Sequence, residues 1–340
     1  MNQSVSASGG GANRPRARPP EDEPSPMPEQ LYFRDQVVVL TGAGQGIGKA
    51  YALELAARGA KVVINDLGVS PSGQGPDLSV AETTAAEIRA AGGEAVADTH
   101  NVATPEGGEA LVKKALDAWG RIDALVANAG ILRDASFPKL EWDNLDAVLA
   151  VNLLSTFYVG RPAFQAMKDS GRGGRILLTT SAAGLYGNFG QANYSAAKMG
   201  VVGLTRTLGI EGAKYDIRVN ALAPFATTRL SSEKNAADQS RAPGKLAPLA
   251  AVLCHPSCPS TGEVFFAGGG LFSRVSIQIS DGFVLKPGEG AEELFASWDK
   301  VRAGPVRELP PSGSSLRPYY EERIQEAASE PEFGHARRNQ

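Results

Sequence analysis

Clusters of metal-ligating side chains, long runs of one charge and any wealth of cysteine are what this chain lacks. Of its 340 residues only two are cysteine and three histidine. Cys254 and Cys258 flank His255, but no second ligand pair accompanies them, so the spacing falls short of a zinc site and reads as two free thiols. So few cysteines in a chain of this size suit a reducing compartment. The formal net charge is −3, with no long basic stretch and few aromatics, which argues against a nucleic-acid groove. No secretory h-region and no apolar run long enough to span a bilayer stands out, and the C-terminal Arg337-Arg338-Asn339-Gln340 is no peroxisomal address. The expectation is a soluble cytoplasmic protein, binding neither nucleic acid nor membrane, whose partner is a small molecule.

What is present begins at about Leu31. Residues 1 to 30 are rich in Ser, Gly, Pro and charge, and they hold too little apolar surface to offset the entropy of ordering, so they are expected as a disordered tail. A domain over 31 to 302 and a flexible tail over 303 to 340 follow. The first strand is the apolar run Val37 to Leu40, of the kind buried on both faces in a parallel sheet. Thr41-Gly42-Ala43-Gly44-Gln45-Gly46-Ile47-Gly48 comes next, and then a helix with the apolar stripe Ile47, Tyr51, Leu55 that stops at Gly59.

A strand, a glycine-rich turn and a helix make the dinucleotide-binding arrangement, in which small residues let the backbone approach a pyrophosphate at the positive helix end. The second strand, Lys61 to Asp66, ends in a carboxylate where a ribose 2′-hydroxyl should lie, and that acid would repel a 2′-phosphate. Beyond it Gly68 to Asp77 is a long polar loop, and Ser79-x-x-Glu82 reads as a capping box for a helix running to Gly92-Gly93. Further strands are expected at Glu94 to Thr99, Ile122 to Ala127, Arg175 to Thr180, Ile217 to Ala223 and Glu263 to Ala267, with helices between them. These include one opened by Thr104-Pro105 and one over about Asp143 to Lys168 that carries Asn152. The alternation predicts a single Rossmann-like, doubly wound α/β domain on a seven-stranded parallel sheet. After the sixth strand, Pro224 to about Lys245 has the look of a mobile flap.

Ser181, Tyr194 and Lys198 hold the chemistry. Tyr194 and Lys198 are four apart, so a helix puts both on one face, and an ammonium beside a phenol favours the phenolate. Such a phenol is a usable general base, with Ser181, arriving from the end of a strand, to hold a substrate oxygen. A surface Tyr and Lys on an amphipathic helix is the plainer alternative for the pair alone.

With these motifs in order, the chain from about Val37 to Gly270 resembles the short-chain dehydrogenase/reductase family. The glycine turn Thr41 to Gly48, Asn128-Ala129-Gly130 and the tetrad Asn152, Ser181, Tyr194, Lys198 carry the resemblance. Asn65-Asp66-Leu67-Gly68 with its long loop, Gly130 to Asp134 and Tyr186 to Tyr194 are similar to one subgroup, the (3R)-hydroxyacyl-CoA dehydrogenase part of the type 2 peroxisomal multifunctional enzymes. In that subgroup likeness also continues to about Trp298, as a C-terminal extension. No hydratase or sterol-carrier domain follows, so a stand-alone dehydrogenase is expected. Ala127 stands where most relatives have Asn, and Phe225 follows Pro224 where Gly is usual.

The resemblance implies NAD-dependent oxidation of a secondary alcohol, with (3R)-3-hydroxyacyl-CoA going to the 3-oxo thioester. Tyr194 would take the hydroxyl proton, Lys198 would depress its pKa and hold the nicotinamide ribose, Ser181 would orient the substrate oxygen, and Asn152 would anchor a water. It further implies that Gly42, Gln45, Gly46, Ile47 and Gly48 line the pyrophosphate, Asp66 takes the adenosine ribose, Asn101 and Val102 border the adenine, Asn128 lies beside the cofactor, and Thr227 and Thr228 face the carboxamide. A homodimer through the long helices around Asn152 and Tyr194 is implied too, with Ala192, Ala196, Ala197, Gly200 and Gly203 permitting close approach. A hydroxysteroid dehydrogenase, a 3-oxoacyl-carrier-protein reductase and an inactive nucleotide-binding scaffold stay as alternatives. Arg229, Lys234, Arg241 and Lys245 on the flap are candidates for the phosphates of coenzyme A or, equally, a solvated charged loop.

Overall fold

The computed structural model describes residues 30–227, 239–303 and 305–308, with a few more at 318, 321–322 and 324–325. The expected tail over 1 to 30, apart from Gln30, and most of the segment past 308 lie outside the described residues.

The parallel strands arise from short, mostly apolar runs. They are β1 (Val37–Thr41), β2 (Lys61–Asn65), β3 (Glu94–Asp98), β4 (Ala124–Ala127), β5 (Gly174–Thr179), β6 (Ile217–Phe225) and β7 (Val264–Gly268). They are buried along nearly their whole length at the centre of the sheet and only in part at the edge strand β3 and at β7. The sheet order is β3-β2-β1-β4-β5-β6-β7, closed at one edge by an eighth strand, β8 (Leu271–Val275). β8 turns back antiparallel on β7 through Gly269 and Gly270, both with positive φ, and this corrects the expected count of seven. Its side chains are mostly exposed, so it carries none of the burial pattern that betrays the others. Past it, Gln278–Ser280 (β9) pairs antiparallel with Val306–Glu308 (β10), so the segment expected as a flexible tail opens with a strand.

Helices cover both faces, as a parallel sheet requires. On one side α1 (Gly46–Ala57) buries Tyr51 and Leu55, α2 (Ser79–Ala90) buries Ile88, and α8 (Ala247–Cys254) completes the layer. On the other, α3 (Pro105–Trp119) packs along the long helix that carries Asn152. Thr104 caps α3 by accepting from the Gly107 amide at 3.1 Å, with Pro105 at the first helical position. At α2 the expected capping box does not form. Ser79 is already helical and donates to Asp77 Oδ1 from both its amide (3.0 Å) and its hydroxyl (2.6 Å), while Glu82 pairs with Arg89. Those two bonds hold the Asp77 carboxyl below its ordinary range.

The helix over Trp142–Ser170 is not uniform. It runs as α4 (Trp142–Leu149), a π-helical turn at Ala150–Leu154, and α5 (Ser155–Ser170). By length and composition alone it is apolar enough to cross a membrane, contrary to the expectation that no such run exists, yet it packs against α3 and α7 (Ala192–Gly212) with Val148, Val159, Ala163 and Met167 buried. A short helix, α6 (Ala182–Tyr186), links β5 to α7. Cys254 and Cys258 are free and buried in the α1–α8 layer, where burial pushes the Cys254 thiol up to about 12, and His255 meets Phe33 edge-on at 5.4 Å.

Candidate active site

The carboxyl ends of the parallel strands converge on one cleft, the position in which doubly wound sheets bind ligands. β1 delivers the glycine turn there. Gly42 and Gly46 have φ of 60° and 57°, and a Cβ on Gly48 would stand 2.2 Å from Gly42 O and 2.9 Å from Ala43 Cα. The turn is therefore carved so closely that no larger residue fits at position 48, which suits a backbone cradle for phosphate. Asn128, at the end of β4, fixes it: its amide donates to Thr41 Oγ1 at 3.0 Å and its Nδ2 donates to Gly42 O at 3.1 Å.

Asp66 is 5% exposed and binds backbone on both oxygens, accepting from Gly44 N at 2.9 Å and Gly68 N at 2.7 Å. It thus clamps the glycine turn to the end of β2 as well as lining a cavity of about 260 Å³ with Asn101, Val102, His100 and Arg133. Gln45, Gly46, Ile47, Asn128, Tyr194 and Lys198 line a second, smaller cavity next to it, of about 110 Å³. Gly42 lies on both, so the two are compartments of one cleft. Thr227 donates its amide to Arg241 O at 2.8 Å, and its buried hydroxyl has no protein partner among the described residues. Thr228, Arg229 and Lys234 lie outside the described residues. Phe225 extends β6 by one residue past Pro224, stacks on Phe266 at 6.2 Å and pairs with Gly268, whose missing side chain makes room for it.

The four tetrad residues come from three elements. β5 ends at Thr179, and Ser181, in extended backbone, caps α6 with its Oγ accepting from Ala183 N at 3.2 Å. Its hydroxyl is near enough to the Tyr194 phenol to favour the phenolate. α6 lies tight on α7: a Cβ on Gly184 would sit 2.8 Å from Lys198 Cβ. Lys198 is 3% exposed, donates from Nζ to Thr179 O at 2.9 Å, and stands over the Tyr194 ring 5.7 Å from its centroid. Burial lowers its ammonium to about 8.

The Tyr194 phenol lies above its ordinary value, raised first by burial and also by the Asp134 carboxylate, with the Ser181 hydroxyl pulling the other way. The Lys198 ammonium is held on Thr179 O and stands over the Tyr194 ring.

Asn152 is fully buried in the π turn. Its Nδ2 donates to Ile131 O at 2.9 Å and Val148 O at 3.1 Å, and its Oδ1 has no partner among the described residues. A Cβ on Gly130 would lie 2.8 Å from that oxygen, so Gly130 keeps the space in front of it open. Sequence reading placed Asn152 on a helix but missed the π turn, which is found often at functional sites. It also assigned no role to Arg133 or Asn193, although both lie within the stretches Gly130 to Asp134 and Tyr186 to Tyr194 that carry the subgroup resemblance.

Residues 36–239 match the short chain dehydrogenase family model. The chain is 43% identical over 270 residues to a putative short-chain type dehydrogenase/reductase of Mycobacterium tuberculosis, covering 79% of this chain and 94% of that one. It is 45% identical over 280 residues to peroxisomal multifunctional enzyme type 2 of Mus musculus, covering 81% of this chain but only 38% of the relative. Among solved structures, the full-length peroxisomal multifunctional enzyme type 2 of Drosophila melanogaster superposes with a TM-score of 0.73 at 33% identity, over 87% of this chain and 50% of that one. A short chain dehydrogenase of Mycobacterium avium gives 0.71 at 37% identity, over 83% and 99%.

Proposed function

From the premise that this chain belongs to the short-chain dehydrogenase/reductase family and is an oxidoreductase, we propose that it oxidises (3R)-3-hydroxyacyl-CoA to the 3-oxo thioester with NAD. The observation that carries the reaction type is the meeting of Ser181, Tyr194 and Lys198 at the glycine-turn cleft. The substrate class rests on the likeness to the multifunctional enzymes, of which the chain spans only a part.

The cleft fits a dinucleotide. The turn at Gly42 and Gly48 leaves room only for backbone against a phosphate, and Asp66 at the larger cavity favours a ribose hydroxyl over a phosphate. Asn101 and Val102 would border the adenine, with Asn128 and Lys198 farther along. When bound, the nicotinamide supplies the two-electron acceptor. Tyr194 accepts the hydroxyl proton in oxidation and returns it in reduction, and Ser181 holds the substrate oxygen against the phenol. Because Tyr194 sits above its ordinary value, the oxidation direction gains as pH rises and the reduction direction loses. Lys198 keeps its charge below about pH 8, and the free Oδ1 of Asn152 is an acceptor for a proton-carrying water behind it.

A homodimer fits the outward faces of the long helices. Ala196, Met199, Gly203 and Ile210 form an exposed strip along α7, and Leu154 and Phe157 are exposed beside it. Ala197 and Gly200 point elsewhere, the first wholly buried and the second against Leu153. Two free buried thiols support a reducing, cytoplasmic setting.

The test is one matrix of rates: NAD against NADP, on the R and S epimers of a 3-hydroxyacyl-CoA, on the free 3-hydroxy acid and on a 17-hydroxysteroid. NAD with the R thioester should give the highest kcat/KM, the epimers differing by more than about tenfold, or 1.4 kcal/mol. Steroid turnover without acyl-CoA turnover, or equal rates on both epimers, would pass the function to a hydroxysteroid dehydrogenase. A preference for NADP would overturn the reading of Asp66.

A further inference from the structure

The start of α7 is where Tyr194 is set, and the N-cap residue there does little to fix it. Gln191 makes no side-chain cap, leaving the first-turn amides without their usual partner. Asn193 supplies one from inside the turn: its Oδ1 accepts from the Tyr194 amide at 2.8 Å. The same side chain, 1% exposed, donates from Nδ2 to Arg133 O at 3.0 Å. A buried amide satisfied at both ends holds its two partners at a fixed spacing. The general base is therefore registered against residue 133 rather than against its own helix cap.

Arg133 is in turn held from the adenosine side. The loop over 68–77 closes on itself, with Asp77 N donating to Gly68 O at 3.2 Å and Gly73 N to Ser70 O at 2.8 Å. It then leans across the larger cavity onto the segment after β4. Leu132 N donates to Pro71 O at 2.9 Å, Arg133 Nε donates to Ser72 O at 2.9 Å, and Gly73 packs on Ile131. Arg133 also reaches Asn144 Oδ1 at 3.4 Å. Two surface staples run beside the buried one, Ala135 N to Gly190 O at 2.8 Å and Gln191 Nε2 to Asp134 Oδ2 at 2.9 Å. One stretch, 131–135, thus bears the strap over the cavity lined by Asp66 on one flank and the turn carrying Tyr194 on the other.

We propose that Asn193 is a positioning residue for Tyr194, and that Arg133 transmits to it the closure of the 68–77 strap over the adenosine side of the cleft. The proposal rests on the reading of Tyr194 as the base and goes beyond it, by making the placement of that base depend on a loop at the far end of the cofactor cleft. Small displacements suffice, since misplacing a reacting group by about 1 Å costs on the order of a hundredfold in rate.

The experiment uses the full-length protein with Asn193→Ala, Asn193→Ser, Arg133→Met and the double variant Asn193→Ala/Arg133→Met, with Tyr194→Phe as the reference. The serine keeps an acceptor near the Tyr194 amide but is too short to reach Arg133 O, so it tests the link if the alanine variant folds poorly. Three quantities are read: kcat for reduction of acetoacetyl-CoA by NADH, the NADH dissociation constant by nucleotide fluorescence, and the tyrosinate absorbance component that Tyr194→Phe removes. Asn193→Ala and Asn193→Ser should lower kcat by about tenfold or more, keep NADH affinity within about twofold, and shift the titration of that component. Arg133→Met should lower kcat and weaken NADH together, and the double variant should be no slower than the slower single, because both break one chain of contacts. Rates that multiply in the double variant, or an unchanged kcat and tyrosinate titration in both Asn193 variants, would overturn the proposal. If Tyr194→Phe keeps full activity, the general-base reading fails instead, and the tyrosinate titration, which needs no turnover, still decides whether Asn193 sets Tyr194.

Discussion

Replacing Lys198 by Met removes an ammonium and leaves a side chain of similar reach, which isolates the energetics of the buried charge. Lys198 is 3% exposed and donates to Thr179 O, and burial carries its ammonium from 10.5 to about 8. Each pH unit between those values is worth about 1.4 kcal/mol, so keeping the charged form in the fold costs about 3 kcal/mol at neutral pH. The sign follows from proton counting. Between the two values the unfolded chain binds more protons than the folded one, so stability rises with pH through that window and levels off below about 8, where both states hold the proton. The stability of the wild type relative to Lys198→Met should therefore climb by about 2 to 3 kcal/mol from about pH 7 to about pH 10, whatever the constant offset from the lost Thr179 bond. Urea unfolding of both proteins at several pH values and one fixed protein concentration measures it. Other titrating groups cancel in the difference. A difference that stays constant with pH would show that Lys198 titrates normally in the fold, and the reasoning from its burial would be wrong.

Tyr194→Phe should retain NAD affinity while turnover falls by about 10² to 10⁴, and the wild-type oxidation rate should climb with pH above neutrality as the phenol ionises; a flat pH profile with an active Phe variant would move the proton chemistry elsewhere. Gly48→Ala would press a methyl into Gly42 O and Ala43, so it should destabilise by about 1 to 3 kcal/mol and weaken NAD by more than about tenfold; calorimetric titration beside a melting curve checks both. Light scattering at micromolar concentration should report a dimer, and Ile210→Glu, on the exposed strip of α7, should shift it toward monomer.

Much of this architecture was legible because its signals are local. Val37 to Leu40 reads as a buried strand from four residues, and the turn after it from its glycines; Thr104-Pro105 announces a helix by chemistry confined to one turn. What escaped is non-local or breaks no pattern. β8 buries almost nothing, so its residues show no alternation for a reader to find. Ser79 looked like a cap because Glu82 follows it at the right spacing, but Asp77 stands closer and carries a charge, and Glu82 is taken by Arg89. The pairing of Tyr194 and Lys198 on one helical face was readable from their spacing. The direction of the ammonium was not, since it depends on Thr179 O, a backbone atom nineteen residues earlier. Asn193 has the same character: its two partners are a carbonyl sixty residues away and its neighbour's amide.

The π turn at Ala150–Leu154 carries a consequence for how such a chain can change over generations. A π turn is the trace of one residue inserted into an α-helix, so deleting a single codon there would restore a regular helix at no loss of backbone hydrogen bonding. Because a π turn holds about one residue more than an α turn, that deletion would leave α4 and α5 in nearly the same relative orientation. Val148 would keep its place in the core, while the amide of Asn152, set inside the wide turn, would be drawn off Ile131 O. A one-codon deletion in the regular parts of the helix would instead rotate one half against the other by about 100°, so a library of such deletions across 142–170 should be tolerated by the fold at the π turn and purged elsewhere.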